Sequence, residues 1–221
     1  MFRLFALFLA LFCSSCSHEY SDFFPYHDDG TPKPHVALIP VINESKGTST
    51  FSWDVAKEFT QDIRLVLMKQ GKLFLLPQDQ VKKQLASCTL TELTSTKDLM
   101  PFLYFQPAHF VVVMELVEHK LVPYKRGKIK PLYPANIPAD QAEVLKMKMR
   151  LKVIDIRGGE PKLIRQEVLD SNHIVKKGAV TESEALHGSP AFSSSPLGLA
   201  YARFERDIAE KIERITSFQK R

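Results

Sequence analysis

The stretch LKMKMRLKV, residues 145–153, alternates apolar and basic side chains without a break. Successive side chains of a β-strand point to opposite faces of the sheet, so this period of two predicts a strand. The apolar side chains are Leu145, Met147, Met149, Leu151 and Val153, and the basic side chains are Lys146, Lys148, Arg150 and Lys152. We therefore expect a sheet with one face against a core and a basic comb, Lys146/Lys148/Arg150/Lys152, on the other face.

Other apolar segments supply the neighbouring strands. HVALIPV (35–41) and KLFLLP (72–77) are short runs typical of buried strands, and AHFVVVMELVEHKLV (108–122) is long and apolar in its first half, as a central strand should be. After the alternating strand, Gly158-Gly159 precedes PKLIRQEVLD. Glycines between two strand-like runs predict a hairpin.

Helical spacing occurs before and after these strands. A helix is predicted from Ser52, as N-cap, to Gly71, with an apolar stripe of Val55, Phe59, Ile63, Val66 and Leu67. Weaker helical signals lie at 78–85 and 97–103. A C-terminal amphipathic helix is predicted from Leu197, Tyr201, Phe204, Ile208, Ile212 and Ile215.

These elements predict an α/β (α+β) fold. The order is β-α-β-α-β-β-β-α, with a mixed sheet of about five strands and with helices packed on one face. A hydrophobic fraction of 44% is ample for one core, so residues 35–221 are interpreted as a single domain.

The N-terminal segment predicts export. Arg3 precedes an apolar run from Leu4 to Phe12, which is shorter than the ~20 residues that a membrane-spanning helix needs. A charged start, a short apolar run and a small-residue exit are typical of a signal peptide. The exit Ser14-Ser15-Cys16 resembles a bacterial lipoprotein signal, which implies cleavage after residue 15 and lipidation of Cys16.

This interpretation divides the N-terminal part into a signal peptide (1–15) and a lipidated flexible tether (16–34). Because Ser17 and not an acidic residue follows the lipidated cysteine, we expect a lipid-anchored, periplasm-facing protein of the outer membrane. The alternative is a secreted, soluble periplasmic protein. Cys88 would be the one cysteine of the mature chain besides the anchor, so no internal disulfide is expected.

Charge limits the class of partner. A net charge of +5 in 221 residues is too even for a nucleic-acid-binding protein, in which positive charge is concentrated. Two basic features could bind an anionic ligand or a protein partner: the basic comb, and a proline-rich basic loop that carries Lys125, Arg126, Lys128 and Lys130. The alternatives remain a solvated sheet face, paired with acids such as Glu167, and a plain surface loop.

Reaction signatures are missing from the sequence. It has no nucleophile elbow, no P-loop and no zinc-protease spacing among its seven histidines. Glu115, Glu118 and His119 lie close in sequence, but strict alternation would put Glu118 on the opposite face from the other two. His109 is interpreted as an interior histidine. We therefore predict no catalytic residue, no metal site and no cofactor.

Several segments together resemble a group of envelope lipoproteins. These are VALIPVINES, QGKLFLLP, AHFVVVMELVEHK and LKMKMRLKVIDIRGGEP, with Asn43, Ala108, Asp155, Gly159 and Glu160 at the matching positions. The group contains the curli-secretion channel lipoprotein, the lipoprotein activator of penicillin-binding proteins and the lipopolysaccharide-assembly lipoprotein. The resemblance, over residues 35–176, implies a noncatalytic assembly or regulatory protein that binds another envelope protein. The alternatives are a docking module for an anionic glycolipid such as lipopolysaccharide and, third, an uncharacterised hydrolase.

Overall fold

A six-stranded mixed sheet lies at the centre of the fold. The structure, a computed structural model, describes residues 24–45, 51–125, 138–178 and 187–217. The strands are β1 (His35–Leu38), β2 (Ile42–Asn43), β3 (Phe74–Leu75), β4 (Phe110–Pro123), β5 (Ala142–Asp155) and β6 (Lys162–Lys176). The helices are α1 (Val55–Gln70), α2 (Gln78–Leu85), α3 (Leu90–Thr94), α4 (Pro190–Ser194) and α5 (Pro196–Ser217), with 3-10 helices at Met100–Phe105 and Ala139–Gln141.

The strand order in the sheet is β3-β1-β4-β5-β6, and β2 pairs with the later part of β4. Strand β1 is parallel to β3 and to β4, and β2 is also parallel to β4, whereas β5 is antiparallel to both β4 and β6. The β5–β6 turn contains Gly159 with φ 75°, a left-handed conformation that glycine adopts without strain. The predicted class, a mixed sheet with helices, and the predicted hairpin are confirmed.

The two long helices, α1 and α5, pack together on one face of the sheet. Their apolar stripes meet Phe110, Met114 and the apolar side of β5 in one buried cluster. Helix α1 begins two residues later than expected, because its N-cap is Asp54 and not Ser52. The Asp54 carboxylate accepts hydrogen bonds from the backbone of Ala56 and of Lys57, each at 3.1 Å.

Short helices cover part of the opposite face, which the sequence analysis had left without helices. There α2, α3 and the 3-10 helix at Met100–Phe105 place Val81, Leu93, Phe102 and Phe105 against the sheet. The physical reason lies in β1 and β4. Where these strands pair, they carry apolar side chains on both faces of the sheet, so both faces must be covered to remove those side chains from water.

A β-bulge interrupts the pairing of β4 with β5 between Leu116 and Glu118. Beyond the bulge, Glu118 pairs with Lys148 and lies on the same face as Glu115, while His119 turns to the face that α1 and α5 cover. The predicted alternation of Glu115, Glu118 and His119 is therefore wrong. One extra residue on a strand reverses every side chain after it.

Residues 24–34, the end of the predicted tether, form a hydrogen-bonded turn that leads into β1. Tyr26 and Pro32 form an isolated bridge, and the backbone amide of Lys33 donates to the Pro25 carbonyl at 2.8 Å. The Lys33 side chain is buried. The signal peptide and Cys16 lie outside the described residues, and among the helices that are described, none is both long and apolar enough to cross a bilayer.

Candidate functional site

The basic comb lies on the face opposite α1 and α5, as predicted, but its four members differ in burial. Lys146, Lys148 and Arg150 are partly exposed, whereas Lys152 is only 2% exposed. The Lys152 ammonium lies 2.6 Å from Glu115 Oε1 and donates to the carbonyl of Thr94, at the end of α3. Lys152 is therefore a core residue and not a solvent-facing cation, because α3 covers this end of the strand.

Acidic side chains of the same face pair with the comb. Arg150 contacts Glu115 and lies 3.6 Å from Glu44, and Lys148 lies 3.3 Å from Asp170 and 3.7 Å from Glu118. The hydrogen bond that Lys148 donates to the Asp170 carboxylate is the main reason that the pKa of Lys148 is raised. Three members of the comb, Lys148, Arg150 and Lys152, are thus ion-paired and not free cations.

Glu167, the acid that was expected beside the comb, lies elsewhere. It pairs with Leu151 in the β5–β6 register, on the side of α5, and its carboxylate contacts Arg165 and Lys211. In the basic loop, Lys125 is exposed, and Arg126, Lys128 and Lys130 lie outside the described residues. The loop, like Cys16, remains a prediction.

The candidate site lies on the other side of the sheet, where α1, α5 and the turn before α4 surround a pocket of about 300 Å³. Its walls carry Asp62, Leu65, His187, Phe192, Tyr201 and Glu205, among others. Asp62 and Leu65 come from α1, and Tyr201 and Glu205 come from α5. Helix packing therefore brings together acidic, aromatic and histidine side chains that are remote in sequence.

His187 is held between two carboxylates that stand one helical turn apart on α1. Its Nδ1 lies 3.2 Å from Glu58 Oε2, and its Nε2 lies 3.1 Å from Asp62 Oδ2. The hydrogen bond with Asp62 is the main cause of the raised pKa of His187. The histidine thereby anchors the turn that precedes α4 to the surface of α1.

Glu205 is an acidic residue within the apolar stripe of α5, beside Phe204 and one turn after Tyr201. It is 5% exposed, and its Oε1 has no hydrogen-bond partner in the described part of the chain. Burial, and then the negative charge of Asp62, raise the pKa of Glu205 to about 8. A buried carboxyl oxygen without a hydrogen bond lowers the free energy of unfolding. A hydrogen-bond donor or a cation at this oxygen would therefore stabilise the folded protein.

Aromatic rings enclose the inner side of the pocket. The ring of His187 is 4.9 Å from that of Phe192 and 5.8 Å from that of Trp53, measured between centroids. Deeper in the core, His119 Nε2 lies 2.5 Å from the Tyr201 hydroxyl. Burial lowers the pKa of His119 to about 4 and raises that of Tyr201, so both side chains are neutral near pH 7.

Close packing of α4 on α5 sets the position of the outer wall. A Cβ added to Gly198 would lie 1.9 Å from the Phe192 carbonyl oxygen, far inside contact distance. Only glycine lets the two helices approach in this way. The Ser189 hydroxyl caps α4 by accepting from the Phe192 amide at 3.0 Å, which directs Phe192 toward the pocket.

Three residues of this pocket could hold a metal ion. One ligand atom each of Asp62, His187 and Glu205 lie within 4.8 Å of one another. The sequence analysis missed this set, because the three residues belong to distant segments and fit no ligand spacing. One signal was present: Glu205 interrupts an otherwise apolar helix stripe. His109, by contrast, is half-buried just before β4, and its Nδ1 accepts a hydrogen bond from the His35 amide at 3.2 Å.

Comparisons with known proteins give a family and a fold. The model of a family of unknown function, DUF7499, matches residues 22–219. No curated protein matches the sequence. The hypothetical protein CT253 of Chlamydia trachomatis has a similar structure, with a TM-score of 0.59 and 24% identity over 83% of this chain and 98% of that chain. This similarity shows a shared fold.

More distant structures include a lipoprotein and the C-terminal domain of LpoB. Lipoprotein GNA1162 of Neisseria meningitidis has a TM-score of 0.40 and 12% identity over 80% of this chain and 99% of that chain. The C-terminal domain of LpoB from Escherichia coli has a TM-score of 0.35 and 17% identity over 62% of this chain and 81% of that chain. At these values the likeness is one of distant shape and does not extend to function.

Proposed function

The chain belongs to the family of unknown function DUF7499, and on that premise we propose that it is a lipid-anchored envelope protein that acts without catalysis. It would assist assembly or regulation by binding another envelope protein. The anchor would be Cys16, and the domain would face the periplasm from the outer membrane. The signal peptide, in which Ser14-Ser15 precede Cys16, supports this location.

The observation that carries the proposed protein contact is a set of exposed apolar side chains on adjacent segments. Leu90 at the start of α3 is 60% exposed, and Met100 and Tyr104 in the following 3-10 helix are 60% and 58% exposed. Helix α3 and this 3-10 helix contact each other. Large exposed apolar side chains and tyrosines are common at protein interfaces. We call Leu90, Met100 and Tyr104 the apolar patch.

A photo-crosslinking amino acid at Tyr104 tests the patch in intact cells. We expect a crosslink to one envelope protein, which mass spectrometry would identify. The matched control is the same crosslinker at Glu210, an exposed position on α5 at the other side of the sheet. Equal crosslinking from both positions, or from neither, would contradict the proposed contact.

The anchor has its own test. Cys16→Ser should move the protein from the membrane fraction and the detergent phase to the soluble periplasmic fraction, because the lipid could no longer be attached. Cys88→Ser is the matched control and should leave the protein in the membrane. A Cys16→Ser protein that stays in the detergent phase would favour another mode of attachment.

Docking of an anionic glycolipid is the second candidate function. The exposed Lys125 at the start of the basic loop favours it, since a lipid phosphate needs an accessible cation. The comb favours it less, because Glu44, Glu115, Glu118 and Asp170 already pair with three of its four cations, Lys148, Arg150 and Lys152. Binding to lipopolysaccharide vesicles that weakens steeply between low and high salt would support this candidate.

A further inference from the structure

We propose that Asp62, His187 and Glu205 form a binding site for a divalent transition metal of the zinc class. The ion would join three segments of the fold: α1 through Asp62, α5 through Glu205, and the turn before α4 through His187. This inference goes beyond the proposed function, since it concerns the face of the sheet opposite the apolar patch.

The distances suit such an ion. Zinc binds histidine nitrogen and carboxylate oxygen at about 2.0–2.2 Å, so ligand atoms around it lie roughly 3.4 Å apart. His187 Nε2 and Asp62 Oδ2 already lie 3.1 Å apart. All three ligand atoms lie within 4.8 Å of one another, so they would have to approach by at most about 1.4 Å to reach that spacing.

Glu58 contacts His187 and would not contact the metal ion itself. Its Oε2 lies 3.2 Å from His187 Nδ1, so a proton on Nδ1 can be donated to Glu58. The Nε2 lone pair is then directed toward Asp62 and the metal position. Metal-binding histidines are commonly oriented in this way by a carboxylate on the other ring nitrogen.

Glu205 provides an independent observation. The residue is only 5% exposed, it lines the pocket, and its Oε1 has no hydrogen-bond partner within the described residues. Lys69 also lines the pocket but is exposed. A cation bound between Glu205 and Asp62 would satisfy the buried oxygen and remove the repulsion between the two acids.

The ligand types indicate the class of metal. Calcium and magnesium prefer oxygen ligands alone, whereas imidazole nitrogen combined with carboxylates suits zinc and the neighbouring transition metals. Three protein ligands leave a coordination position open, as in zinc sites that bind water or a further ligand. The pocket of about 300 Å³ gives that position room for a small molecule.

Metal titration of the full-length protein tests the proposal. The protein would be purified in detergent without a histidine tag, treated with EDTA and dialysed, and Zn²⁺ would be added in a calorimeter. We expect one equivalent to bind, and the thermal midpoint to rise with Zn²⁺ because the ion binds the folded state. With Co²⁺, visible d–d absorption should report nitrogen and oxygen ligands.

Substitutions locate the site. His187→Ala and Glu205→Gln should each weaken Zn²⁺ binding by more than tenfold, and Glu58→Gln should weaken it by about 10–100-fold through its effect on His187. The matched control is His27→Ala, since His27 also adjoins two acidic residues, Asp28 and Asp29, but lies in the N-terminal turn. It should bind Zn²⁺ as the unsubstituted protein does.

The proposal is overturned if the protein binds no Zn²⁺ at micromolar concentration, or if Glu205→Gln and His27→Ala bind it equally well. Thermal unfolding in EDTA checks that each variant is folded before titration, and Glu205→Gln replaces His187→Ala if the latter is not. Zn²⁺ binding and crosslinking from Tyr104 are separate readouts, so failure of one leaves the other interpretable.

Discussion

Glu115 and Glu205 are both buried, on opposite faces of the sheet, but their electrostatic surroundings are opposite. Glu115 is 0% exposed and lies against the cations Arg150 and Lys152. Glu205 is 5% exposed and lies near the acid Asp62. Within the described residues, the Oε1 atoms of both side chains lack a hydrogen bond, but that of Glu115 lies 2.6 Å from the Lys152 ammonium, so the charge of the first carboxylate is balanced by cations, whereas Glu205 has no ion pair there.

This difference separates a structural charge from a candidate binding group. A buried ion pair with both partners present is balanced in charge. Removing one partner leaves the other as an uncompensated charge in the core. A buried carboxyl with an acidic neighbour costs stability unless a cation or proton joins it. We therefore assign Glu115 to the fold and Glu205 to a site, and four predictions test this contrast.

The largest expected effect comes from Glu115→Gln. Loss of this charge leaves Lys152 buried without its counter-charge, so the free energy of unfolding should fall by about 3–5 kcal/mol. Urea unfolding followed by circular dichroism measures it. Glu118→Gln is the matched control on the partly exposed part of the same face, where an ion pair contributes about 0–1 kcal/mol. Equal losses in both variants would remove the distinction.

The second prediction concerns His119 and pH. Burial lowers its folded pKa to about 4, below the ordinary histidine value of 6.5, so the unfolded chain binds more protons between these pH values. Stability from this residue is therefore complete above pH 6.5 and declines as the pH falls toward 4, by roughly 3 kcal/mol in total.

His119→Gln keeps a hydrogen-bonding side chain beside Tyr201 but does not titrate. The difference in unfolding free energy between pH 7 and pH 4.5 should therefore be smaller in this variant than in the unsubstituted protein, by urea unfolding at both pH values. Other histidines contribute to both proteins alike. An unchanged pH dependence would show that His119 is not the buried titrating group.

The third prediction concerns Gly198, a residue in the wall of the pocket. Gly198→Ala places a Cβ against the Phe192 carbonyl, which must move away, so we expect a loss of about 1–3 kcal/mol in unfolding free energy. Gly158→Ala is the control, since nothing lies within 4 Å of its added Cβ and its φ is not left-handed. A stable Gly198→Ala protein would contradict the close contact of α4 with α5.

The smallest effect is expected from Glu205→Gln in EDTA. An amide of the same shape carries no charge and has more ways to form hydrogen bonds, so the unfolding free energy should stay within about 1 kcal/mol of the unsubstituted value, or rise. Compared with Glu115→Gln, the same chemical change then gives opposite outcomes on the two faces. A loss as large as that of Glu115→Gln would mean that Glu205 is structural.

Much of the fold could be predicted from local patterns. The alternation at 145–153, the apolar spacing of α5 and the glycines at 158–159 each correspond to an observed element. Such patterns are formed by neighbouring residues of the chain, so they can be recognised without knowing which residues are in contact in the fold. Helix α3 was missed because it is short, although its capping box, Thr89 with Glu92, is visible in the sequence.

The ion pairs around Lys152 and the candidate metal site, by contrast, depend on contacts between segments that are distant in sequence. No local pattern shows that α3 covers Lys152, that a bulge after Leu116 reverses Glu118 and His119, or that a turn carries His187 to α1. Each of these results from tertiary packing, which brings side chains that are far apart in sequence into contact.

The sequence alone therefore determined the long strands and the long helices, because hydrophobic period is a property of consecutive residues, and the export signal stays a prediction from the same kind of local pattern. The tertiary structure alone decided which charges are compensated. A carboxylate such as Glu115 or Glu205 looks the same in any list of residues, and only its neighbours in space determine whether it is paired or left to bind a cation.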